Sequence, residues 1–463
     1  MSLIKDLMMD ARDFSIARGC LLKYYGDDGG NVVIPMNVST IGEGAFQNCN
    51  LTSVTIPEGV TKIGNNAFEG CAYLENVVIP TSVTEIGECA FRDCESLPSV
   101  TILEGVTKIG NSAFQGCIAL KSVTVPSSVK EVGVGVFRGC AGLTSVTISE
   151  GITKIDDWAF EGCTGLTSVT IPMSIRSIGS SAFKGTPWLK NLGEFAVIKQ
   201  ILLEYQGDGG NVTIPKGVVE IGGYAFYRCR GLTSVIIPKG TRLIGEDAFS
   251  CCEGLTSITI PKGVTEIGAG AFYGCAGLTS VTIPEGVSSI GISAFGDCRG
   301  LTSITIPASV TEIGAGAFQY CRGLTNVIIS GGVMEMGDSA FWNCTSLENV
   351  IIPRGVIGRN AFTFCSNLKN VIIAEGVVEI GESAFYGCEG LVSVIIPKSV
   401  RSIGCDAFSD CTSLISVTIL ASDTEIGWTV FKGCRNLTIY APTGSCAEKY
   451  SQCNNIKFEV TEG

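Results

Sequence analysis

The sequence predicts a repeat solenoid, in which about 17 rungs of about 23 residues each stack in one direction. Three observations support this prediction. One unit recurs along most of the chain, and the copy from Ile63 to Pro80 places Ile-Gly, Ala-Phe, Cys, Leu, Val and Ile-Pro at fixed positions. A single phenylalanine marks each copy. Apolar residues make up 45% of the chain and follow the same spacing, as a core shared between stacked units requires.

The marker phenylalanine sets the period of the repeat. Consecutive markers are nearly all about 23 residues apart, but the steps to Phe68 and Phe362 are slightly shorter. The second deletion lies at residues 355–358, just before an Ile-Gly pair. The markers are Phe46, Phe68, Phe91, Phe114, Phe137, Phe160, Phe183, Phe226, Phe249, Phe272, Phe295, Phe318, Phe341, Phe362, Phe385, Phe408 and Phe431.

The repeats fall into two arrays, each introduced by the same short module. We expect an N-terminal segment or cap at residues 1–13, with a short helix at 2–12, and arrays at 14–194 and 195–441. Each opening module, at residues 14–35 and 195–215, is expected to form a hairpin around a turn rich in Gly, Asp and Asn. Calcium binding by this turn is an alternative, but one or two carboxylates fall short of the ligands that calcium requires.

Residues 442–463 are expected to cap the C-terminal end of the stack. The segment from Ser445 to Glu448 has the sequence of a capping box, which predicts the start of a short helix. Residues 456–460 then fit a closing strand. Such a cap covers the edge of the last rung, which would otherwise be open to pairing with another chain.

Each part of the repeat has a predicted conformation. Leu-x-x-Val-x-Ile alternates apolar and polar residues, which indicates a short strand, and the proline that follows ends it. Val-x-x-Ile-Gly is expected to turn the chain, with the glycine in a conformation that other residues avoid. Ala-Phe-x-x-Cys is too short for a stable lone helix, so we expect one helical or 3₁₀ turn there.

The composition excludes several functions. A net charge of -12 and a pI near 4.8 are unlike a nucleic-acid binder and unfavourable at anionic membranes. No apolar run approaches the length of about 18 residues that spans a bilayer, so membrane insertion is not expected. The chain has no histidine, which removes the commonest general base and metal ligand. We therefore expect no catalytic, cofactor or metal site.

The 22 cysteines follow the repeat rather than a metal or redox motif. Most lie three residues after a marker phenylalanine, from Cys49 to Cys434, and Thr186 replaces the missing member. Metal binding and a redox ladder are alternatives, but the chain lacks Cys-x-x-Cys pairs and histidine. We therefore predict free thiols buried at a tight interior turn. The remaining cysteines are Cys20, Cys89, Cys251, Cys405, Cys446 and Cys453.

The repeat resembles the BspA-like, or Treponema-type, leucine-rich repeat from about Phe14 to Ala441, and the segment after Tyr440 also resembles the usual end of such arrays. The resemblance implies a right-handed, curved stack with a parallel β-sheet on its inner face. It also implies surface or secreted proteins of anaerobic bacteria and some protists that act in adhesion and host interaction. The family offers no catalytic motif to transfer.

The candidate partner site lies on the outward positions of four consecutive strands. The third and fifth residues of each strand point away from the core and are mostly Ser and Thr. In four rungs they form an apolar strip with a hydrogen-bonding edge, which is often an interaction site. Alternatively, Ile replaces Thr only as another good β-former. The candidates are Asn326, Ile328, Asn349, Ile351, Asn370, Ile372, Ser393 and Ile395.

The predicted function is that of a non-enzymatic protein-interaction module, adhesin-like and located at the cell surface or secreted. Expected partners are proteins or molecules of the extracellular matrix and host surface, together with weak self-association, and nucleic acid is not expected. Two alternatives remain open. Repeats also serve as spacers that set length in a surface layer, and the many thiols would suit an intracellular scaffold in the cytoplasm.

Overall fold

The computed structural model describes residues 13–26 and 30–461. The expected helix at residues 2–12 and much of the first acidic turn lie outside these residues. The chain divides into two compact units, residues 1–199 and 200–463. The described residues of the two units form parallel β-solenoid turns, about 19 in all, with almost no helix, which confirms the predicted fold class. The turns of the C-terminal cap extend the series beyond the rungs that a phenylalanine marks.

The described part of the first unit contains short strands and one short helix. In chain order they are β1 (Phe14–Ala17), β2 (Cys20–Tyr24), β3 (Asn31–Val33), β4 (Thr40–Ile41), β5 (Ser53–Thr55), β6 (Lys62–Ile63), β7 (Asn76–Val78), β8 (Glu85–Ile86), β9 (Lys108–Ile109), β10 (Ser122–Val125), β11 (Glu131–Val132), β12 (Ser145–Ile148), β13 (Lys154–Ile155), β14 (Ser168–Thr170), β15 (Ser177–Ile178), α1 (Pro187–Lys190) and β16 (Phe195–Ile198).

The second unit continues the same alternation. Its elements are β17 (Ile201–Tyr205), β18 (Gly210–Thr213), β19 (Glu220–Ile221), β20 (Leu232–Ile236), β21 (Leu243–Ile244), β22 (Ser257–Thr259), β23 (Glu266–Ile267), β24 (Ser280–Thr282), β25 (Ser289–Ile290), β26 (Ser303–Ile306), β27 (Glu312–Ile313), β28 (Asn326–Ile329), β29 (Glu335–Met336), β30 (Asn349–Ile352), β31 (Gly355–Ile357), β32 (Asn370–Ile373), β33 (Val377–Ile380), β34 (Ser393–Ile396), β35 (Ser402–Ile403), β36 (Ser416–Ile419), β37 (Glu425–Ile426), β38 (Thr438–Ala441), α2 (Cys446–Asn454) and β39 (Lys457–Val460).

Each regular rung contributes to two parallel sheets. The Leu-x-x-Val-x-Ile segments form the first sheet, which in the second unit runs in chain order from β18 to β39. The Val-x-x-Ile-Gly segments, expected to be turns, instead supply short strands to a second sheet. These segments form strands because their backbone amides bond to the preceding rung: those of Thr61 and Gly64 donate to carbonyls of that rung at 2.9 and 2.8 Å.

The first opening hairpin differs from its prediction. β1 pairs antiparallel with β2 around Arg18 and Gly19, and not around the Gly/Asp/Asn segment. Both turn residues have positive φ, 51° and 77°, as a tight two-residue hairpin turn requires. The Gly/Asp/Asn segment instead links β2 to β3, which joins the first sheet and pairs in parallel with β5.

Proline interrupts the first sheet of the first unit. β7 is not followed by a strand at residues 97–102, so β3–β5–β7 and β10–β12–β14 are separate sheets. Pro98 occupies the position at which Thr144 donates its amide to Lys121 in a regular rung. Because proline has no amide hydrogen, this bond cannot form.

The Ala-Phe-x-x-Cys segment is a series of tight turns and forms neither the helical nor the 3₁₀ turn that was expected. Glu69 and Cys71 donate their amides to carbonyls three residues back, while Phe68 and Gly70 donate to the next rung at 2.7 and 2.8 Å. Positive φ values at Asn66 and Gly70, 55° and 71°, break the helical path. Successive amides thus alternate between bonds within the turn and bonds to the next rung. The latter form a third set of hydrogen bonds between rungs, beside those of the two sheets.

The marker phenylalanines form the centre of the core. Phe272 is fully buried and stacks on Phe249 and Phe295, with ring centroids 5.3 and 5.1 Å apart. Similar stacks run through the marker residues of each unit. Since one rung alone leaves both faces of its ring uncovered, this core exists only when rungs are stacked.

The ladder cysteines pack beside the phenylalanines as free thiols. Cys275 is buried, and its Sγ donates to the carbonyl of Phe249 in the preceding rung at 3.1 Å. Burial raises the pKa of Cys117, Cys275 and Cys321 to about 12. A buried thiol that stays protonated is a poor nucleophile.

These shifts predict that alkaline pH destabilises the protein. Well below pH 9.0, the ordinary pKa of the group, the thiols are protonated in both the folded and the unfolded protein. Their burial then contributes fully to the free energy of unfolding. As the pH rises from 9 toward 12, only the unfolded chain releases these protons, and the free energy of unfolding falls. We expect thiolate absorbance of the urea-unfolded protein to appear near pH 9, whereas the buried thiols of the folded protein resist ionisation. Equal thiolate absorbance of the folded and unfolded protein between pH 9 and 10 would contradict this assignment.

The C-terminal segment forms the predicted helix and closing strand. Ser445 caps α2 and accepts the amide of Glu448 at 3.2 Å, while the Glu448 carboxylate accepts the amide of Gly444 at 2.6 Å. β39 then pairs in parallel with β38. Among the described residues, no helix has the length and apolar character needed to cross a membrane.

Candidate functional site

The structure brings the eight predicted site residues together on one face of the first sheet. They lie on β28, β30, β32 and β34, whose residues alternate between exposed and buried. Ile328, Ile351, Ile372 and Ile395 expose 51%, 52%, 55% and 59% of their surface. We call these four residues the isoleucine strip. Each is preceded by a buried valine and followed by a buried isoleucine, so the alternation of the strand places the strip outside the core.

The strand register makes the strip continuous. Ile328 is paired with Ile351, and Ile351 with Ile372. β32 and β34 are also parallel neighbours, with Asn370 opposite Ser393, two residues before Ile372 and Ile395. Neighbouring strands lie about 4.8 Å apart, so the four isoleucines lie side by side along the sheet. The strip ends on both sides at threonine, because Ile328 is paired with Thr305 and Ile395 with Thr418.

A polar edge runs beside the strip. Asn326, Asn349, Asn370 and Ser393 occupy the same position in successive strands and are exposed. The side-chain amide of Asn370 donates to the amide oxygen of Asn349 at 2.7 Å. This bond links the two amides along the row, and each amide keeps further donor or acceptor capacity.

The shortened rung at residues 355–358 leaves the strip regular. β30 and β32 keep four residues in register across it, from Asn349 to Ile352. The irregularity falls in the second sheet, where the pairing of β31 with β33 shifts between Gly355 and Val356. Gly355 has a φ of 89°, and a Cβ there would collide with the carbonyl of Met334. Glycine therefore absorbs the deletion away from the strip.

Apolar residues also occupy the outward position elsewhere, which the sequence analysis missed. Val33, Val78 and Ile236 expose 47%, 60% and 63% of their surface. Each is isolated, because its neighbours in register are threonines, such as Thr213 and Thr259 beside Ile236. The feature that distinguishes the strip is thus its continuity over four strands.

The repeated carboxylates serve as solvated structural pairs. Glu85 lies between Lys62 and Lys108 on adjacent short strands, at 3.0 and 3.1 Å. Hydrogen bonds from these two ammonium groups lower the pKa of Glu85. In the described part of the chain, no group of three or more His, Cys, Asp and Glu residues could hold a metal ion.

A second feature lies on the same rungs but on the turn segments. Trp342, Phe364 and Tyr386 line a surface pocket of about 440 Å³ together with Ser339, Asn360, Thr363 and Ser383. We call this group the aromatic pocket. Sequence analysis missed it, although aromatic residues one or two positions after a marker phenylalanine were a visible signal.

The stacked parallel strands and the buried phenylalanine ladder together define a leucine-rich-repeat solenoid. More narrowly, a family profile described as "BspA type Leucine rich repeat region" matches in six copies. The copies cover residues 23–142, 87–206, 134–250, 196–325, 251–356 and 334–457. The chain therefore belongs to the BspA-type leucine-rich repeat family. Repeat proteins of this type are generally protein-interaction modules, and the fold is typically a non-enzymatic scaffold.

Several solved structures are similar. A leucine-rich repeat protein from Bacteroides ovatus shares 30% identity and a TM-score of 0.52, over 79% of this chain and 92% of that one. A leucine rich cell surface protein from Faecalibacterium prausnitzii shares 33% identity over 70% of this chain and 92% of its own, with a TM-score of 0.44. A leucine-rich repeat protein from T. pallidum shares 31% identity over 40% of this chain and 92% of its own, with a TM-score of 0.37. Comparison with curated proteins gave no match.

Proposed function

We propose that this chain is an adhesin-like, non-enzymatic module of the cell surface or of the secreted fraction, and that it binds a protein partner through the isoleucine strip. The observation that carries the proposal is the continuity of four exposed isoleucines over strands paired in register. A contiguous apolar patch on a soluble surface is stabilised when a partner covers it. The asparagine row beside it supplies directional hydrogen bonds at the edge of the contact.

The pattern favours a binder over a spacer. A spacer needs each rung only for length, and the regular Ser and Thr pairs of β22, β24 and β26 meet that need. In the isoleucine strip, isoleucine replaces the usual threonine on four neighbouring strands, as expected for a surface that one partner contacts. Isoleucine as a simple β-former would explain single replacements such as Ile236, but not their clustering.

The cysteines are compatible with an extracellular location. Most ladder thiols are buried, although Cys49 and Cys229 are only partly so. Burial raises the pKa of members such as Cys298 and Cys344 well above the ordinary value. Oxidation requires an accessible thiolate, so these residues persist as thiols in an oxidising medium. The large number of cysteines therefore does not favour an intracellular scaffold over an extracellular protein.

The test is a pair of charged substitutions in the centre of the strip. Ile351→Asp with Ile372→Asp should reduce binding to a panel of immobilised extracellular-matrix proteins by at least about tenfold, because a charge at a desolvated contact costs several kcal/mol. Binding is measured by surface plasmon resonance, and any self-association by sedimentation velocity. Far-UV circular dichroism checks that both proteins are folded.

A matched control separates the strip from charge in general. Thr259→Asp with Thr282→Asp places two carboxylates at the same position of two adjacent strands, β22 and β24, outside the strip. This variant should bind as the wild type does. If the folded strip variant binds every partner as strongly as the control variant, the strip is not the binding surface.

A further inference from the structure

We propose that the aromatic pocket is a second binding site, and that its ligand is a neutral saccharide. The pocket lies on the turn segments of three consecutive rungs and contains no residue of the isoleucine strip. Its volume of about 440 Å³ falls within the range of about 300–1,000 Å³ that small-molecule sites occupy. This site is therefore independent of the protein-binding function proposed above.

The backbone provides the first argument. The second residue after each marker phenylalanine has positive φ, which bulky side chains rarely adopt. Phe364 and Tyr320 nevertheless occupy this position, with φ of 61° and 59°. The other rungs of the two arrays place mainly Gly, Asn or Asp there: Asn48, Gly70, Asp93, Gly116, Gly139, Gly162, Gly185, Arg228, Cys251, Gly274, Asp297, Asn343, Gly387, Asp410 and Gly433. Strain of this kind concentrates at functional sites, so the aromatic ring has a use that offsets it.

The packing of the rings provides the second argument. The ring of Phe364 lies over Gly387 of the next rung, where a Cβ would come within 2.8 Å of it. It also contacts Tyr386 edge-on, with centroids 5.4 Å apart. On the other side, Trp342 is held by Tyr320 at 4.8 Å. Neighbouring rungs therefore hold the rings in place before any ligand binds.

The chemistry of the lining indicates the class of ligand. The seven lining residues are uncharged, whereas a larger pocket on the second sheet includes Glu312, Glu335 and Arg359. Ser339, Ser383 and Asn360 line the pocket together with the rings and bring hydroxyl and amide groups to it. A pyranose ring matches this combination, because its C–H face packs on an aromatic ring while its hydroxyls bond to neutral polar groups. An ionic ligand would find no charge to pair with among these residues.

Affinity electrophoresis tests the proposal on the full chain. The protein, which carries a net charge of -12, migrates through native gels that contain a soluble neutral polysaccharide: a β-glucan, an α-mannan or a galactan. We expect at least one of them to retard the wild type. Trp342→Ala and Phe364→Gly should each weaken the retardation by about tenfold, as expected for loss of a stacking contact. Tyr227→Ala, at the turn position equivalent to Trp342 in an early rung of the second unit, should not.

Phe364→Gly also separates a binding role from a packing role. If the aromatic side chain is retained for binding, glycine relieves the backbone strain, so the thermal midpoint stays the same or rises while binding is lost. The variant Ile351→Asp with Ile372→Asp should keep saccharide binding. No retardation by any polysaccharide, or equal retardation of the wild type and Trp342→Ala, would overturn the proposal. Binding of a proline-rich peptide in the pocket without saccharide binding would overturn it too.

Discussion

Replacement of Phe272 by alanine is expected to lower the free energy of unfolding by about 3–5 kcal/mol, the range for truncation of a buried phenylalanine. The ring of Phe272 is fully buried between those of Phe249 and Phe295. Its removal leaves a cavity in the middle of the stack and uncovers one face of each neighbouring ring. Because each rung contacts mainly its neighbours, the loss is expected to begin locally in this part of the second unit.

Urea unfolding followed by circular dichroism, with hydrogen exchange to locate the weakened rungs, measures this effect. The control is Ile236→Ala, which removes a large apolar side chain that is 63% exposed. We expect that change to stay within about 0.5 kcal/mol, as is usual for surface substitutions. A loss below about 1 kcal/mol for Phe272→Ala would place the marker residue outside the core and contradict the stacked-rung account.

Replacement of Gly291 by alanine is expected to cost about 1–3 kcal/mol, the range for overpacking. Gly291 is the glycine of an Ile-Gly pair, and its φ is not positive. A Cβ at this position would lie 2.5 Å from the amide nitrogen of Ala269 and from the carbonyl carbon of Gly268. These are backbone atoms of the preceding rung, so they can move only if the two rungs separate.

Gly240→Ala is the matched control in the same unit. A Cβ at Gly240 would meet nothing within 4 Å, and this glycine also lacks a positive φ. Alanine there should be neutral or stabilising by up to about 1 kcal/mol, because it restricts the unfolded chain. Equal unfolding midpoints for Gly291→Ala and Gly240→Ala would show that the Ile-Gly glycine is not needed for close stacking.

This glycine shows where prediction from the sequence succeeded and where it failed. Its position in the repeat was visible, but the reason was wrong, since contact with the preceding rung and not backbone conformation requires it. The core was predictable because Phe, Cys, Leu, Val and Ile recur at one period. The second sheet was not predictable, because its strands are as short as Lys62–Ile63, and two residues are too few to show the alternation of apolar and polar residues that identifies a strand.

Of the two candidate sites, one was predictable from the sequence and the other was not. The isoleucine strip was predictable because period-two alternation shows which side chains leave the core, and parallel stacking then places Ile351 beside Ile372. The aromatic pocket was not predicted, since it depends on turns in which Phe364 adopts a positive φ. Nothing in the sequence shows that conformation until the hydrogen bonds between rungs are known.

Hydroxyl-radical footprinting of the free and partner-bound protein tests the central claim most directly, because it reports which exposed side chains a partner covers. Ile351 and Ile372 are exposed to 52% and 55%, and Ile236 occupies the same strand position outside the strip at 63%. The account predicts that partner binding lowers oxidation of Ile351 and Ile372 and leaves Ile236 unchanged. Unchanged oxidation of the strip, with protection of residues elsewhere on the chain, would contradict it.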